Sequence, residues 1–204
     1  MKEKIRVLFL AANPVDTSPL RLGQEAREID EKIEVGSARE AFELIQHHAL
    51  RIGDLQQVLL RRQPHIVHFS GHGGESHEIV LENNQGKSHP VPRETLAALF
   101  RILKDNVRIV VLNACFTKEQ AEALKDIIDY TIGTNDTVGD QASVTFAAAF
   151  YRALAFGRSV KEAFELARLE LELIRIPGSD KPELYVRDGV DATEPFLPTV
   201  KGKR

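Results

Sequence analysis

The chain has 204 residues, 43% of them hydrophobic, and a net charge of -3, which suits one α/β domain of the upper common size rather than two independent cores. A pI near 6.2, with no run of Lys and Arg interleaved with aromatics, argues against nucleic acid as a direct ligand. One cysteine cannot form an internal disulfide, so the fold needs no oxidising compartment and a cytoplasmic location is the default expectation.

Met1-Lys-Glu-Lys4 followed by Ile5-Arg-Val-Leu-Phe-Leu10 faintly imitates a signal peptide. Arg6 interrupts the apolar stretch, which is too short for the usual h-region of roughly 7 to 15 residues, so it reads as a first buried strand over 7–12. Asn13-Pro14 ends that strand. Leu22, Ala26, Ile29 and Ile33 then recur at helical spacing, with Glu25, Arg27, Glu28 and Glu31 left for the solvent side. A strand over 41–45 belongs near a sheet edge. A helix over about 52–62 carries Leu55, Val58 and Leu59 and is ended by Pro64.

The apolar run His65-Ile-Val-His-Phe-Ser70 reads as a central strand that ends on Gly71-His72-Gly73-Gly74. Residues 78–82, the turn Asn83-Asn-Gln-Gly86 and the stretch from Lys87 form a small hairpin. Leu96, Leu99, Phe100 and Leu103 mark a helix, and 107–112 the next central strand, which runs out on Asn113-Ala114-Cys115. Thr117 and Gln120 have the spacing of a capping box, placing a helix start two residues past the thiol. A strand over 127–132 ends on Gly133-Thr134. Helices follow over 141–156 and from Ser159, where Ser159 and Glu162 make a second capping box ahead of Val160, Phe164, Ala167 and Leu171. The stretch 142–156 carries Arg152 and falls short of the roughly 20 apolar residues of a membrane helix, so no membrane association is expected. A strand over 183–187 and a polar tail over 196–204 close the chain. This alternation of strand and helix predicts a mainly parallel sheet covered on both faces.

His72 and Cys115 both fall just beyond the carboxyl ends of predicted central strands, where ligand sites lie in open α/β sheets. Their separation of 43 positions accommodates a hairpin, a helix and a strand, enough for a crossover that sets the two strands side by side. A thiol beside an imidazole is held as a nucleophilic thiolate near neutral pH. The backbone N–H groups of Gly73 and Cys115 are placed to receive the oxyanion of an attacked carbonyl, since glycine permits close approach.

Other polar groups are read more plainly. His68, inside its strand on the side of Ser70, is a hydrogen-bonded core histidine. His65, His68, His72 and His77 match no zinc spacing, so neither metal nor cofactor is expected. Gly71 to Gly74 lacks the Lys and Ser/Thr of a phosphate loop, which weakens a flavodoxin-like nucleotide-binding reading. Asp140 is suited to cap the helix that follows it. No acidic partner for His72 stands out.

His68-Phe-Ser-Gly-His-Gly73, Val111-Leu-Asn-Ala-Cys115, Ile132-Gly-Thr134, Phe150-Tyr-Arg-Ala-Leu154 and Gly157-Arg-Ser-Val160 resemble, in order and spacing, the CHAT domain, a branch of the caspase-like cysteine peptidase superfamily. The resemblance covers nearly the whole chain and implies a single domain over 1–195. It implies a three-layer α/β fold whose central six-stranded, mainly parallel sheet is flanked by helices on both faces. It carries the catalytic histidine onto His72 and the nucleophile onto Cys115. Caspases usually have Gln-Ala-Cys followed by a glycine two positions on. Here Asn113 precedes and Phe116-Thr117 follow, which departs from caspase-type aspartate specificity.

In relatives an acidic residue in the region of Asp140 lines the pocket for the residue before the cleaved bond, which would select Arg or Lys; Asp136 is the weaker rival. The implied activity is a cysteine endopeptidase acting on a protein or peptide substrate. The implied setting is a bacterial effector in antiviral defence or programmed cell death, the chain being either a domain excised from a longer protein or the partner of a separately encoded sensor or regulator. A noncatalytic caspase-like interaction module is the alternative of a different class.

Overall fold

The structure, a computed structural model, describes residues 4–74 and 76–197. In chain order its elements are β1 (Ile5–Ala11), α1 (Leu22–Glu34), β2 (Phe42–His47), α2 (Leu55–Arg62), β3 (Ile66–Ser70), β4 (His72–Gly73), β5 (Ile79–Glu82), β6 (Ser88–Val91), α3 (Arg93–Leu103), β7 (Ile109–Asn113), α4 (Lys118–Leu124), β8 (Tyr130–Thr134), α5 (Asp140–Ala155), α6 (Val160–Leu173) and β9 (Pro182–Val186). Every residue of β3, β7 and β8 is buried. Unbroken apolar runs of this kind form strands only where both faces of the sheet are covered.

The main sheet has the order β2-β1-β3-β7-β8-β9. The first five strands are parallel, and β9 returns antiparallel along β8. Alternate side chains feed two cores. One packs Val7, Phe9, Ile109, Val111 and Ile132 against α1, α5 and α6. The other packs Leu8, Leu10, Val67, Val110 and Leu112 against α2, α3 and α4. The three layers and six strands are those the family resemblance implies, and the edge position of β2 matches the sequence reading. A second sheet, β4-β5-β6, is the expected hairpin plus a two-residue strand made by His72 and Gly73 themselves.

The chain leaves β1 toward the α1 face but leaves β3 and β7 toward the other. Oppositely directed exits open a crevice above the carboxyl ends of adjacent strands. The adjacent strands with opposite exits are β1 and β3, so the crevice lies between them. Among the described residues, no helix is long and apolar enough to cross a membrane.

Several local expectations differ from the structure. Glu25 is not on the solvent side but buried, on the same helix face as Leu22, Ala26, Ile29 and Ile33. Thr117 is the N-cap of α4 but makes no side-chain cap. Its hydroxyl donates instead to the carbonyls of Leu112 and Ala114, while Gln120 bonds elsewhere, so the expected capping box does not form. Asp140 is the first residue of α5, whose N-cap is Gly139, and its carboxylate caps nothing. The Ser159–Glu162 capping box forms in full. β8 begins at Tyr130, because residues 127 and 128 close a turn onto the Leu124 carbonyl. Of the expected polar tail, residues from 198 on lie outside the described residues, and Phe196 packs edge-on against Tyr130.

Candidate active site

β3 and β7 are neighbours, with Ser70 opposite Asn113. Each chain continues two residues past that rung, to His72 and to Cys115. The two strand ends meet through the backbone of Gly73. A Cβ added there would stand 1.6 Å from the Cys115 carbonyl oxygen and 3.1 Å from the Cys115 nitrogen. No side chain fits in that space, so glycine at 73 is a condition of bringing the imidazole strand against the thiol strand.

The thiol is half-buried. Its Sγ lies 3.8 Å from the Val138 carbonyl and 3.5 Å from the Val138 N–H, at the loop after β8. Phe116 takes a left-handed conformation, φ 55°. This sharp turn ends β7 and leaves Cys115 at its rim. Such backbone strain at the residue after a reactive group is typical of sites where geometry is held by the surroundings. Among the described residues the Cys115 N–H donates to no partner. In the small sheet, the Gly74 N–H donates to Glu78. Antiparallel alternation then leaves Gly73, opposite Ile79, as a non-hydrogen-bonded rung whose N–H points out of the ladder. Both proposed oxyanion donors are therefore open.

The His72 Nε2 lies 2.8 Å from the Ser18 carbonyl, in the loop between β1 and α1. A carbonyl only accepts, so Nε2 carries the proton and the lone pair is on Nδ1. Imidazole and thiol are not hydrogen-bonded to each other among the described residues. Among the described residues no carboxylate bonds His72: Glu78 accepts from the Ser76 hydroxyl, and Glu75 lies outside the described residues. The remaining histidines go to separate places. His68 is in the core, and His77 sits 2.6 Å from Glu119.

Directly below the site is a buried polar cluster that periodicity had hidden. Glu25 Oε1 accepts from His68 Nε2–H at 2.8 Å and from Asn113 Nδ2–H at 2.6 Å, and Oε2 accepts from the Ser70 hydroxyl at 2.5 Å. His68 Nδ1 faces the Tyr151 hydroxyl at 3.1 Å, and Phe9 stacks on the ring. His68 is thus the hydrogen-bonded core histidine expected. The signal available in the sequence was three polar side chains on one face of two otherwise apolar strands, which require a buried acceptor.

Gln120, on the helix that follows the thiol, reaches the other sheet. Its Oε1 accepts from the Ile79 N–H and its Nε2 donates to the Val91 carbonyl, both at 2.8 Å. It fills the open rung between β5 and β6 and clamps the sheet bearing His72 to the helix launched by Cys115. Gln120→Ala leaves a buried donor and a buried acceptor without partners, at about 1–3 kcal/mol each. Urea unfolding is expected to show a loss of about 3 kcal/mol, and an unchanged midpoint would contradict the clamp.

Asp140 binds Arg21 through Nε at 2.6 Å, with the carboxylate less exposed than the guanidinium. Asp136 bonds to Lys181 at 2.5 Å, which holds its carboxyl below the usual range.

The CHAT domain family model matches residues 4–175. A Roc-COR-CHAT protease from an unknown prokaryotic organism is 25% identical over 179 residues, 84% of this chain and 17% of that protein. A probable protease from Gillisia limnaea is 21% identical over 153 residues, 74% of this chain and 27% of that protein. The chain thus spans well under a third of the length of these relatives. Among solved structures, the Arg-specific cysteine proteinase gingipain R superposes with a TM-score of 0.64 at 12% identity, over 94% of this chain and 48% of that one. A secreted C11 cysteine protease from Bacteroides thetaiotaomicron, solved with an irreversible peptide inhibitor, gives 0.58 at 13% identity, over 82% of this chain and 59% of that one. The fold is that of caspase-like cysteine proteases, and the chain belongs to the CHAT domain family.

Proposed function

We propose that this chain is a cysteine endopeptidase with His72 and Cys115 as its dyad. The observation that carries the reading is the contact of Gly73 with the Cys115 backbone, which brings imidazole, thiol and two open N–H groups to one edge of the sheet. His72 Nδ1 takes the thiol proton while the Ser18 carbonyl holds Nε2–H. The thiolate attacks a peptide carbonyl carbon, and the Gly73 and Cys115 N–H groups receive the developing oxyanion. The carbon–nitrogen bond then breaks as Nδ1–H protonates the leaving amine. Water, deprotonated by Nδ1, hydrolyses the thioester and frees Cys115.

Asp140 is assigned to the pocket for the residue before the cleaved bond. Its carboxylate already holds a guanidinium, that of Arg21, and exchanging it for a substrate Arg or Lys suits the same geometry. The wider reading is a single domain, residues 1–195, working in the cytoplasm as a bacterial effector that cuts a partner protein in defence or programmed death, under a regulator that is either another part of a longer chain or separately encoded. Its support is the family and the much longer relatives called Roc-COR-CHAT protease.

A mixed peptide library, together with a thiol-reactive peptidyl probe, tests the reading. Cleavage with a basic residue before the cut, and probe attached at Cys115, are the expected results. Labelling no faster than an ordinary thiol, with no cleavage, would identify a noncatalytic interaction module.

A further inference from the structure

Glu25 takes no part in the acyl transfer described above, yet it collects three donors on the sheet face directly below the dyad. Two of them, Ser70 and Asn113, are opposed partners on the last rung of the β3–β7 ladder. Each stands two residues before a dyad member. One carboxylate therefore ties together the ends of the two strands that deliver the reacting groups.

We propose that Glu25 is a positioning residue: its carboxylate, oriented by His68 and Tyr151, fixes the strand ends so that the His72 imidazole is set against the Cys115 thiol. The proposal rests on the Cys-His reading. A buried carboxylate is a poor device for stability alone, because apolar side chains of similar shape fill a core as well or better. Its value is in selecting one arrangement, since every member of a satisfied network constrains the others. Here each member is satisfied. His68 Nε2–H donates to Glu25 while Nδ1 meets the Tyr151 hydroxyl, so the ring cannot turn over without stranding a partner. Burial, together with the Glu25 charge, pushes the Tyr151 phenol well above its ordinary range, so it keeps its proton. Asn113 Nδ2 also reaches the Ser143 carbonyl at 3.3 Å, which extends the tie to the first turn of α5.

Cys115 is the only cysteine, so alkylation by iodoacetamide reports on that thiol alone. Rates are measured on the whole chain between about pH 5 and pH 9, on either side of the ordinary thiol pKa of about 8.5. The wild type is expected to keep most of its rate on the acid side, as a thiolate–imidazolium pair does. Glu25→Gln, shown to be folded by a cooperative melt, is expected to follow an ordinary thiol titration and to react about tenfold more slowly at about pH 6. Ser70→Ala, which deletes one donor and keeps the charge, is expected to shift the profile in the same direction by less. A folded Glu25→Gln protein with the wild-type profile overturns the proposal. If that variant does not fold, an unchanged Ser70→Ala profile overturns it instead. A wild-type profile identical to that of His72→Ala removes the dyad reading itself, and the proposal falls with it.

Discussion

Cys115→Ala and His72→Ala are each expected to reduce kcat/KM on a cleavable peptide by about 10³-fold or more, equivalent to about 4 kcal/mol of transition-state stabilisation. The double variant should fall no further than the worse single variant, because nucleophile and base act as one unit. Stability should barely change. Neither side chain belongs to the two buried cores, and among the described residues the hydrogen bonds of each go to main-chain atoms of a loop. Thermal melting beside the kinetics separates lost chemistry from lost structure. A His72→Ala protein that retains more than about a tenth of the wild-type rate would exclude the imidazole as base, since positioned proton transfer contributes about 10²-fold or more.

Gly73→Ala is expected to be nearly as damaging for a different reason. The added methyl would meet main-chain atoms of Cys115, the oxygen at 1.6 Å and the carbonyl carbon at 2.7 Å. No flexible side chain is there to move aside, so the two strand-end loops must part. Misplacement of reacting groups by about 1 Å costs on the order of 10²-fold in rate, and overpacking costs about 1–3 kcal/mol in stability. Gly74→Ala is the control. Its Cβ would meet nothing closer than 3.7 Å, so activity and melting should stay near wild type. Equal behaviour of the two variants would show that the contact at residue 73 does not set the dyad.

The alternation of strands and helices, the adjacency of β3 and β7, the hairpin and the second capping box were all legible as local patterns. Glu25 was not, for a physical reason. Helical periodicity sorts residues by polarity, so a carboxylate at the i+3 slot of an apolar face is assigned outward unless its acceptors and donors are known. Those donors, His68, Ser70 and Asn113, lie 43, 45 and 88 residues away. Thr117 and Gln120 failed as a capping box by the same logic. Their spacing permits a local bond, but tertiary partners compete for both side chains. Asp140 illustrates a smaller error, a shift of one position at a helix start, which hands the cap to Gly139 and frees the carboxylate for Arg21.

The orientation of His72 depends on an atom that every amino acid possesses, the main-chain oxygen of residue 18. Exchanging Ser18 for another residue leaves that oxygen in place. What cannot change is the path of the connection from β1 to α1, which must carry a carbonyl over the imidazole. Residue 18 therefore tolerates wide variation in identity while the connection tolerates little variation in length, so a one-residue insertion there should disable a protein that substitution of Ser18 leaves untouched.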